Sequence, residues 1–123
     1  MFRILVVDDD AGLRFSIISA FSMIKKFEVS EAFDGINALE KIKSADVKFD
    51  IILLDVDMPR LNGLEALKQI KEFDPGLIVL MLTAHATLND AVAAVKDGAY
   101  NYVSKPIAAD DLIALVDKAI HAH

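Results

Sequence analysis

Several side chains that can bind ions or transfer groups follow short apolar runs of the sequence. Asp8 and Asp9 follow the first run, and Asp55 follows the third. Thr83 follows the fourth run, and Lys105 comes shortly after the fifth. Carboxylates, a hydroxyl group and an ammonium group can together hold a cation and stabilise an anionic group. That chemistry requires a fold that brings the ends of these runs together.

A cluster of three carboxylates needs a counter-charge. Two like charges ~4 Å apart cost roughly 4 kcal/mol at an effective dielectric constant of about 20. A hard divalent cation removes this repulsion, and a few carboxylates completed by water are the ligand set typical of Mg²⁺. The chain has no cysteine, and His85 is the only histidine near these positions, so the sequence offers little for a softer metal. The sequence therefore predicts a magnesium site.

Magnesium, a lysine and a hydroxyl group are together suited to handling phosphoryl groups. The chain has no glycine-rich loop of the nucleotide-binding types, which argues against a phosphoryl group presented on tightly bound ATP. An aspartate can itself act as the nucleophile and become an acyl phosphate. Asp55 is the best candidate, because it ends a run predicted to be a rigid central strand.

The elements that position these residues alternate along the whole chain. Short apolar or β-rich runs occur at 4–7, 27–33, 51–54, 77–82 and 100–103. Each is followed by a stretch with helical spacing of apolar residues, which in the first stretch reaches Ile24. Parallel strands need crossover helices, so the pattern predicts a doubly wound α/β fold with five parallel strands and five helices. The more polar second run suits an edge of the sheet.

Helix boundaries are marked by capping and turn residues. Thr87 and Asp90 form a plausible capping pair for the fourth helix, and Gly98 can end it in a left-handed turn. Asn62 and Gly63 can begin the third helix. The sequence Asp-Pro-Gly at 74–76 must end it.

An alternative role for the acidic residues is to cap the helices that follow the strands. This role is favoured for Asp10 and Asp57 taken singly. It does not explain two adjacent acids directly after a buried strand, nor a lysine at the same edge of the sheet. For the set of Asp8, Asp9, Asp55 and Lys105, a functional site is the favoured interpretation.

Four motifs in order give the chain a family resemblance. They are ILVVDDD at 4–10, LDVDMP at 54–59 with NG at 62–63, LTA at 82–84 and YVSKP at 102–106. Across essentially the whole chain, 1–123, the sequence resembles a receiver domain of two-component response regulators. The resemblance implies a flavodoxin-like sheet with strand order 2-1-3-4-5. Residues 83–100 are also similar to receivers attached to AAA+ activators of sigma-54 transcription.

The resemblance implies a role for each acidic residue. Asp55 would accept a phosphoryl group from a histidine kinase or phosphotransfer protein. Asp9 would bind Mg²⁺ directly and Asp8 through water, joined by a carboxylate oxygen of Asp55 and the backbone carbonyl of Asp57. Asp57 and His85 also occupy positions that can tune the phosphoryl lifetime, and solvated loop residues are the alternative for both.

The resemblance also implies how the modification is sensed. Thr83 and Lys105 would grip the phosphoryl oxygens, and Tyr102 would change rotamer as Thr83 is drawn inward. The peptide bond between Lys105 and Pro106 is typically cis in such receivers. The affected surface would be the face of the fourth helix, fifth strand and fifth helix, which could also form a homodimer.

Composition limits the partners. The net charge of −6 disfavours direct nucleic-acid binding, and the longest apolar run is too short to span a membrane. The sequence shows no secretion signal, so we expect a cytoplasmic location. The resemblance implies a phosphoacceptor signalling domain that catalyses only its own phosphorylation and dephosphorylation, with an output domain possible beyond the C-terminus.

Three alternatives belong to other functional classes. A phosphatase of the haloacid-dehalogenase type also uses an Asp-x-Asp pair, as at Asp55 and Asp57, but there the pair follows the first strand. A flavodoxin-like electron carrier would need a phosphate-binding loop at the position where this chain has three aspartates, residues 8–10. A degenerate receiver could serve only as a binding module, although the complete set of site residues argues against it.

Overall fold

The structure is a computed structural model that describes residues 1–56, 58, 61–84, 88–105 and 107–122. Strands and helices alternate through these residues as the sequence predicts. They are β1 (Phe2–Val7), α1 (Ala11–Ser22), β2 (Phe27–Ala32), α2 (Gly35–Ser44), β3 (Ile51–Asp55), α3 (Gly63–Phe73), β4 (Ile78–Thr83), α4 (Leu88–Lys96), β5 (Asn101–Ser104) and α5 (Ala109–His121).

The five strands form one parallel sheet in the order β2-β1-β3-β4-β5. This confirms the doubly wound, flavodoxin-like fold. The relatively polar strand β2 lies at an edge of the sheet, where only one side of it pairs with another strand. β3 lies at the centre, and all five of its residues are buried.

Alternate residues of the strands face two separate cores, because successive side chains of a strand point to opposite faces. In β1, Leu5 and Val7 face the core beneath α2, α3 and α4, whereas Ile4 and Val6 face the core beneath α1 and α5. The second core includes the fully buried Phe21. Burying both faces in this way requires the crossover helices that the alternating sequence pattern provides.

Helix α1 begins as the sequence predicts and ends earlier than its apolar pattern suggests. The Asp10 side chain caps the helix by accepting hydrogen bonds from the Gly12 and Leu13 amides, at 3.0 and 3.1 Å. Ile24 lies beyond the end of α1 at Ser22, because its amide donates to the Phe21 carbonyl in a tighter turn. Its side chain still packs against the core, which explains the continued apolar spacing.

The other helix boundaries depend on the same kinds of residue. Asn62 caps α3 by accepting a hydrogen bond from the Glu65 amide at 3.0 Å, and the helix ends at Phe73, before the Asp-Pro-Gly sequence. Gly98 follows α4 with a φ of 105°, a left-handed conformation that confirms its predicted role. The predicted capping pair of Thr87 and Asp90 lies outside the residues whose side chains the structure describes.

Each helix in the described part of the chain is too short to cross a bilayer. The longest, α5, has 13 residues. At about 1.5 Å per residue it falls well short of the ~30 Å hydrocarbon core.

Gly63 joins the start of α3 closely to the end of β3. Its amide donates to the Val56 carbonyl at 2.8 Å. A Cβ atom placed on Gly63 would lie 2.3 Å from the Asp55 carbonyl oxygen and 2.6 Å from the Val56 Cα. Only a residue without a side chain allows this approach, which holds the backbone of Asp55 in place.

We predict that Gly63→Ala lowers the free energy of unfolding by about 2–3 kcal/mol, because the backbone must move to relieve the overlap. Chemical denaturation measures the change. Gly12→Ala is the matched control, since a Cβ there meets nothing closer than an Asp10 oxygen at 3.4 Å. Equal effects of the two substitutions would contradict the proposed close packing.

Candidate functional site

The carboxyl ends of β1 and β3 lie side by side at the point where the strand order reverses. The chain leaves β1 toward β2 on one side, and β3 lies on the other side. Open α/β sheets bind their ligands at such a point. Asp8 and Asp9 follow β1 here, and Asp55 is the last residue of β3.

The three carboxylates form a compact cluster. One oxygen from each of Asp8, Asp9 and Asp55 lies within 4.8 Å of the others. Asp8 and Asp55 are buried, with 2% and 4% of their surface exposed, whereas Asp9 is exposed. The structure therefore contains the predicted group of acids, of which Asp9 is exposed and the other two are buried.

Lys105 lies between the two buried carboxylates. Its Nζ atom is 2.8 Å from Asp8 Oδ2 and 3.0 Å from Asp55 Oδ1. Its amide donates to the Thr83 carbonyl at 2.6 Å, which fixes the start of the loop after β5 beside the end of β4. The ammonium group therefore bridges the strands that carry the acids.

The bridge changes the acidity of the lysine. Burial, the largest single influence, lowers the pKa of Lys105. The hydrogen bonds and charges of Asp8 and Asp55 together outweigh it, so the net pKa is raised above the ordinary value of 10.5. Lys105 is thus a cation held in place by the two acids.

The cluster retains a place for a further cation. One ammonium group cannot neutralise three carboxylates, so negative charge remains. Within the described residues, no hydrogen bond reaches the carboxylate of exposed Asp9. Carboxylate oxygens with access to water are the donors that a hard divalent ion prefers. The residues present therefore fit the Mg²⁺ that the sequence predicts.

Thr83 and Tyr102 lie on neighbouring strands. In the register of β4 and β5, Thr83 pairs with Ser104 and Met81 with Tyr102. Thr83 and Tyr102 are therefore diagonal neighbours on one face of the sheet. Thr83 is buried at the end of β4, and the partly buried ring of Tyr102 packs against the core beneath α2, α3 and α4.

Three of the predicted positions lie outside the described residues. These are Asp57, His85 and Pro106 with its predicted cis peptide bond.

Two residues that make buried or partly buried contacts were not identified from the sequence. Arg14, in the second turn of α1, donates from Nη1 to the Asp8 carbonyl at 2.6 Å. A single cation shortly after three aspartates was the signal that could have identified it. Asp34 is buried and caps α2 by accepting from the Asn37 amide at 2.8 Å, a role that its position before a glycine could have suggested.

The raised pKa of Lys105 determines how stability depends on alkaline pH. A group whose pKa is higher in the folded state stabilises the protein fully below its unfolded pKa, 10.5 for this lysine, and this contribution is lost as the pH rises through the folded value. In metal-free buffer, we expect Lys105→Met to be about 3 kcal/mol less stable than wild type at neutral pH, since two buried acids lose a partner.

The difference in stability between the two proteins should shrink above pH 10.5, the ordinary pKa of the lysine. Denaturation of both proteins at a series of pH values measures this difference, and the comparison with wild type removes effects that the two proteins share. A difference that stays constant into strongly alkaline solution would mean that the charge of Lys105 does not stabilise the fold.

Comparisons with known proteins agree with the fold. Residues 4–117 match the family model of the response regulator receiver domain. The transcriptional regulatory protein ZraR of Klebsiella oxytoca is 38% identical over 117 residues, which cover 95% of this chain and 26% of ZraR. The chain thus spans about a quarter of the length of that relative.

Solved structures are also similar. A CheY-like response regulator receiver domain protein from Methanospirillum hungatei JF-1 has a TM-score of 0.92 at 29% identity, covering 99% of this chain and 95% of that one. A chain of the CheX–CheY–BeF3–Mg²⁺ complex from Borrelia burgdorferi has a TM-score of 0.89 at 28% identity, covering 95% and 87%.

Family membership decides against two of the alternatives, the haloacid-dehalogenase type of phosphatase and the flavodoxin-like electron carrier. The match extends over nearly the whole chain and includes every strand that carries a site residue. The chain belongs to the response regulator receiver domains of two-component signal transduction.

Proposed function

We propose that Asp55 accepts a phosphoryl group from a histidine kinase or a phosphotransfer protein, and that this modification changes an interaction surface of the domain. The observation that carries the proposal is the bridge of Lys105 between Asp55 and Asp8. It places a cation against the acceptor oxygen, where the charge of a bound phosphoryl group would develop.

The transfer is a displacement at phosphorus. An oxygen of the Asp55 carboxylate forms the new bond to phosphorus while the bond to the donor imidazole nitrogen breaks. That nitrogen keeps the electron pair and takes a proton. The product, an acyl phosphate, carries nearly two negative charges where the carboxylate carried one. The protein must therefore supply more positive charge after transfer than before it.

The acidic cluster would hold Mg²⁺ through Asp9, Asp8 and a carboxylate oxygen of Asp55. When bound, the ion neutralises negative charge on the phosphoryl oxygens during transfer. The compact grouping of the three carboxylates supports this assignment, as does the presence of Mg²⁺ in the complex that contains a similar chain. The family resemblance adds the backbone carbonyl of Asp57 as a further ligand.

Lys105 and Thr83 would bind the phosphoryl oxygens. The ammonium group of Lys105 already lies 3.0 Å from an acceptor oxygen, so a small movement is enough to follow the new charge. Thr83 ends β4, the strand next to the acceptor strand. A cis peptide at Pro106, and tuning of the phosphoryl lifetime by Asp57 and His85, remain parts of the proposal that the resemblance alone supports.

Movement of Thr83 toward the phosphoryl group would open space beside Tyr102, its diagonal neighbour, and let the ring change rotamer. A coupling of about 1–3 kcal/mol between site and surface is ordinary for such switches. On the nearby α4, Val92 and Val95 are 49% and 57% exposed. Exposed apolar side chains at this position support a face of α4, β5 and α5 that binds an output domain or a second receiver.

The wider context is also proposed. The longer chain of ZraR supports an output domain attached to this receiver, and the resemblance of residues 83–100 supports a regulator of the sigma-54 activator type. The domain would act in the cytoplasm as a phosphoacceptor rather than as an enzyme for an external substrate.

The first test is intact mass after incubation with acetyl phosphate, with and without Mg²⁺. We expect the wild type to gain one phosphoryl group only with Mg²⁺, and hydroxylamine to remove it, as for an acyl phosphate. Asp55→Asn should gain nothing, because an amide is a poor nucleophile. Asp46→Asn, at an exposed loop acid, is the matched control and should behave like the wild type.

Two outcomes would overturn the proposal. No gain in the wild type would favour the degenerate receiver that acts only as a binding module. A hydroxylamine-sensitive gain that persists in Asp55→Asn would place the acceptor on another carboxylate.

A further inference from the structure

Arg14 connects helix α1 to the acidic cluster and to the edge strand. Its side chain, 14% exposed, donates from Nη1 to the Asp8 carbonyl at 2.6 Å. Its Nε atom lies 3.3 Å from Glu31 Oε1, on β2. The guanidinium group is rigid and planar, so two contacts on one side chain fix its orientation.

The carbonyl that Arg14 holds belongs to the peptide unit between Asp8 and Asp9. Because a peptide unit is planar, fixing its oxygen fixes the direction in which the chain enters Asp9. The same turn is fixed at two further points. The Asp8 amide donates to the Ala32 carbonyl at 3.2 Å, and the Asp10 amide donates to Asp8 Oδ1 at 2.9 Å.

Asp9 depends on this turn more than the other two acids do. Lys105 contacts both Asp8 and Asp55, whereas the carboxylate of Asp9 is exposed and receives no hydrogen bond from the residues the structure describes. Its direction is therefore set by its backbone rather than by side-chain partners. The backbone there is held by Arg14.

We propose that Arg14 is a positioning residue that fixes the turn of 8–10 and so aims Asp9 into the acidic cluster, raising the affinity of the site for a divalent cation. The effect on affinity rests on the magnesium site of the proposed function. The effect on the turn stands on the contacts of Arg14 alone.

The charge of Arg14 would act in the opposite sense, since a cation near the cluster repels a metal ion. Glu31 pairs with that charge, which weakens the repulsion. Residues that orient metal ligands typically change affinity by about 10- to 100-fold when removed. When Arg14 is removed, the loss of positioning predicts weaker Mg²⁺ binding, whereas the loss of repulsion predicts tighter binding. We expect the positioning effect to be the larger of the two.

The turn is tested first, in metal-free protein, by amide hydrogen exchange. In Arg14→Ala we expect the Asp10 amide to exchange about tenfold faster, while amides of the central strand β3 keep their rates, because only the turn opens locally. Glu31→Gln is the control, since it removes the exposed ion pair and leaves the bond to the Asp8 carbonyl. An unchanged Asp10 amide, or equal acceleration of all amides, would overturn the positioning role.

Magnesium affinity is tested by calorimetric or NMR titration of the same variants. We expect the Mg²⁺ dissociation constant to rise about tenfold or more in Arg14→Ala. Arg14→Lys should recover part of the affinity, because its ammonium group can still donate to the Asp8 carbonyl. Glu31→Gln should weaken binding far less than Arg14→Ala, because it leaves the bond to the Asp8 carbonyl and only increases the repulsion from Arg14.

If Arg14→Ala binds Mg²⁺ as tightly as the wild type or more tightly, charge repulsion or a general effect on folding outweighs the positioning of Asp9. Either result would overturn the inference. If the wild type itself binds no Mg²⁺, the magnesium site of the proposed function fails, and the claim about affinity fails with it. The exchange rate of the Asp10 amide still decides in that case whether Arg14 holds the turn.

Discussion

Two buried carboxylates can lie together at the edge of the sheet because the ammonium group of Lys105 lies between them. Asp8 and Asp55 have almost no access to water, and each would lose most of its hydration without a compensating partner. Lys105 supplies hydrogen bonds and charge to both. The packing of β1 against β3, and the position of β5 beside β4, are thus linked through one side chain.

The proposed response to phosphorylation also depends on this bridge. If Asp55 accepts a phosphoryl group as proposed, a cation that already contacts its carboxylate could follow the added charge, and the movement would reach the loop after β5. The Lys105 amide donates a hydrogen bond to the Thr83 carbonyl, so a backbone hydrogen bond joins the loop after β5 to the end of β4. In the proposed mechanism, chemistry on β3 would in this way be coupled to β5, the strand that carries Tyr102.

Much of this arrangement can be predicted from the sequence, because it follows from local patterns. Alternating apolar runs and helical stretches predict the sheet, and parallel strands bring Asp8, Asp9 and Asp55 to one edge. Asp10 as a helix cap follows from its place before α1. These features depend on residue type and spacing along a single element, which the sequence displays directly.

The remaining features depend on distances between elements. Lys105 pairs with Asp8, 97 positions away, as closely as with Asp55, although the sequence suggested chiefly a contact with a phosphoryl group. Arg14 was missed because the sequence shows a cation shortly after three aspartates but does not show that its partner is the Asp8 backbone carbonyl. The close approach of Gly63 to the Asp55 backbone likewise appears only when α3 is placed against β3.

The most direct test of the Lys105 bridge is a double-mutant cycle on the free energy of unfolding in metal-free buffer. The cycle combines Lys105→Met with Asp55→Asn, which removes the negative charge while keeping the shape of the side chain. If the ammonium group is held by the buried acid, the two changes should be coupled by about 1–3 kcal/mol, with Asp55→Asn much less harmful in the Lys105→Met background. Effects that add to within about 0.5 kcal/mol would show that the two residues stabilise the fold independently, and would contradict the bridge.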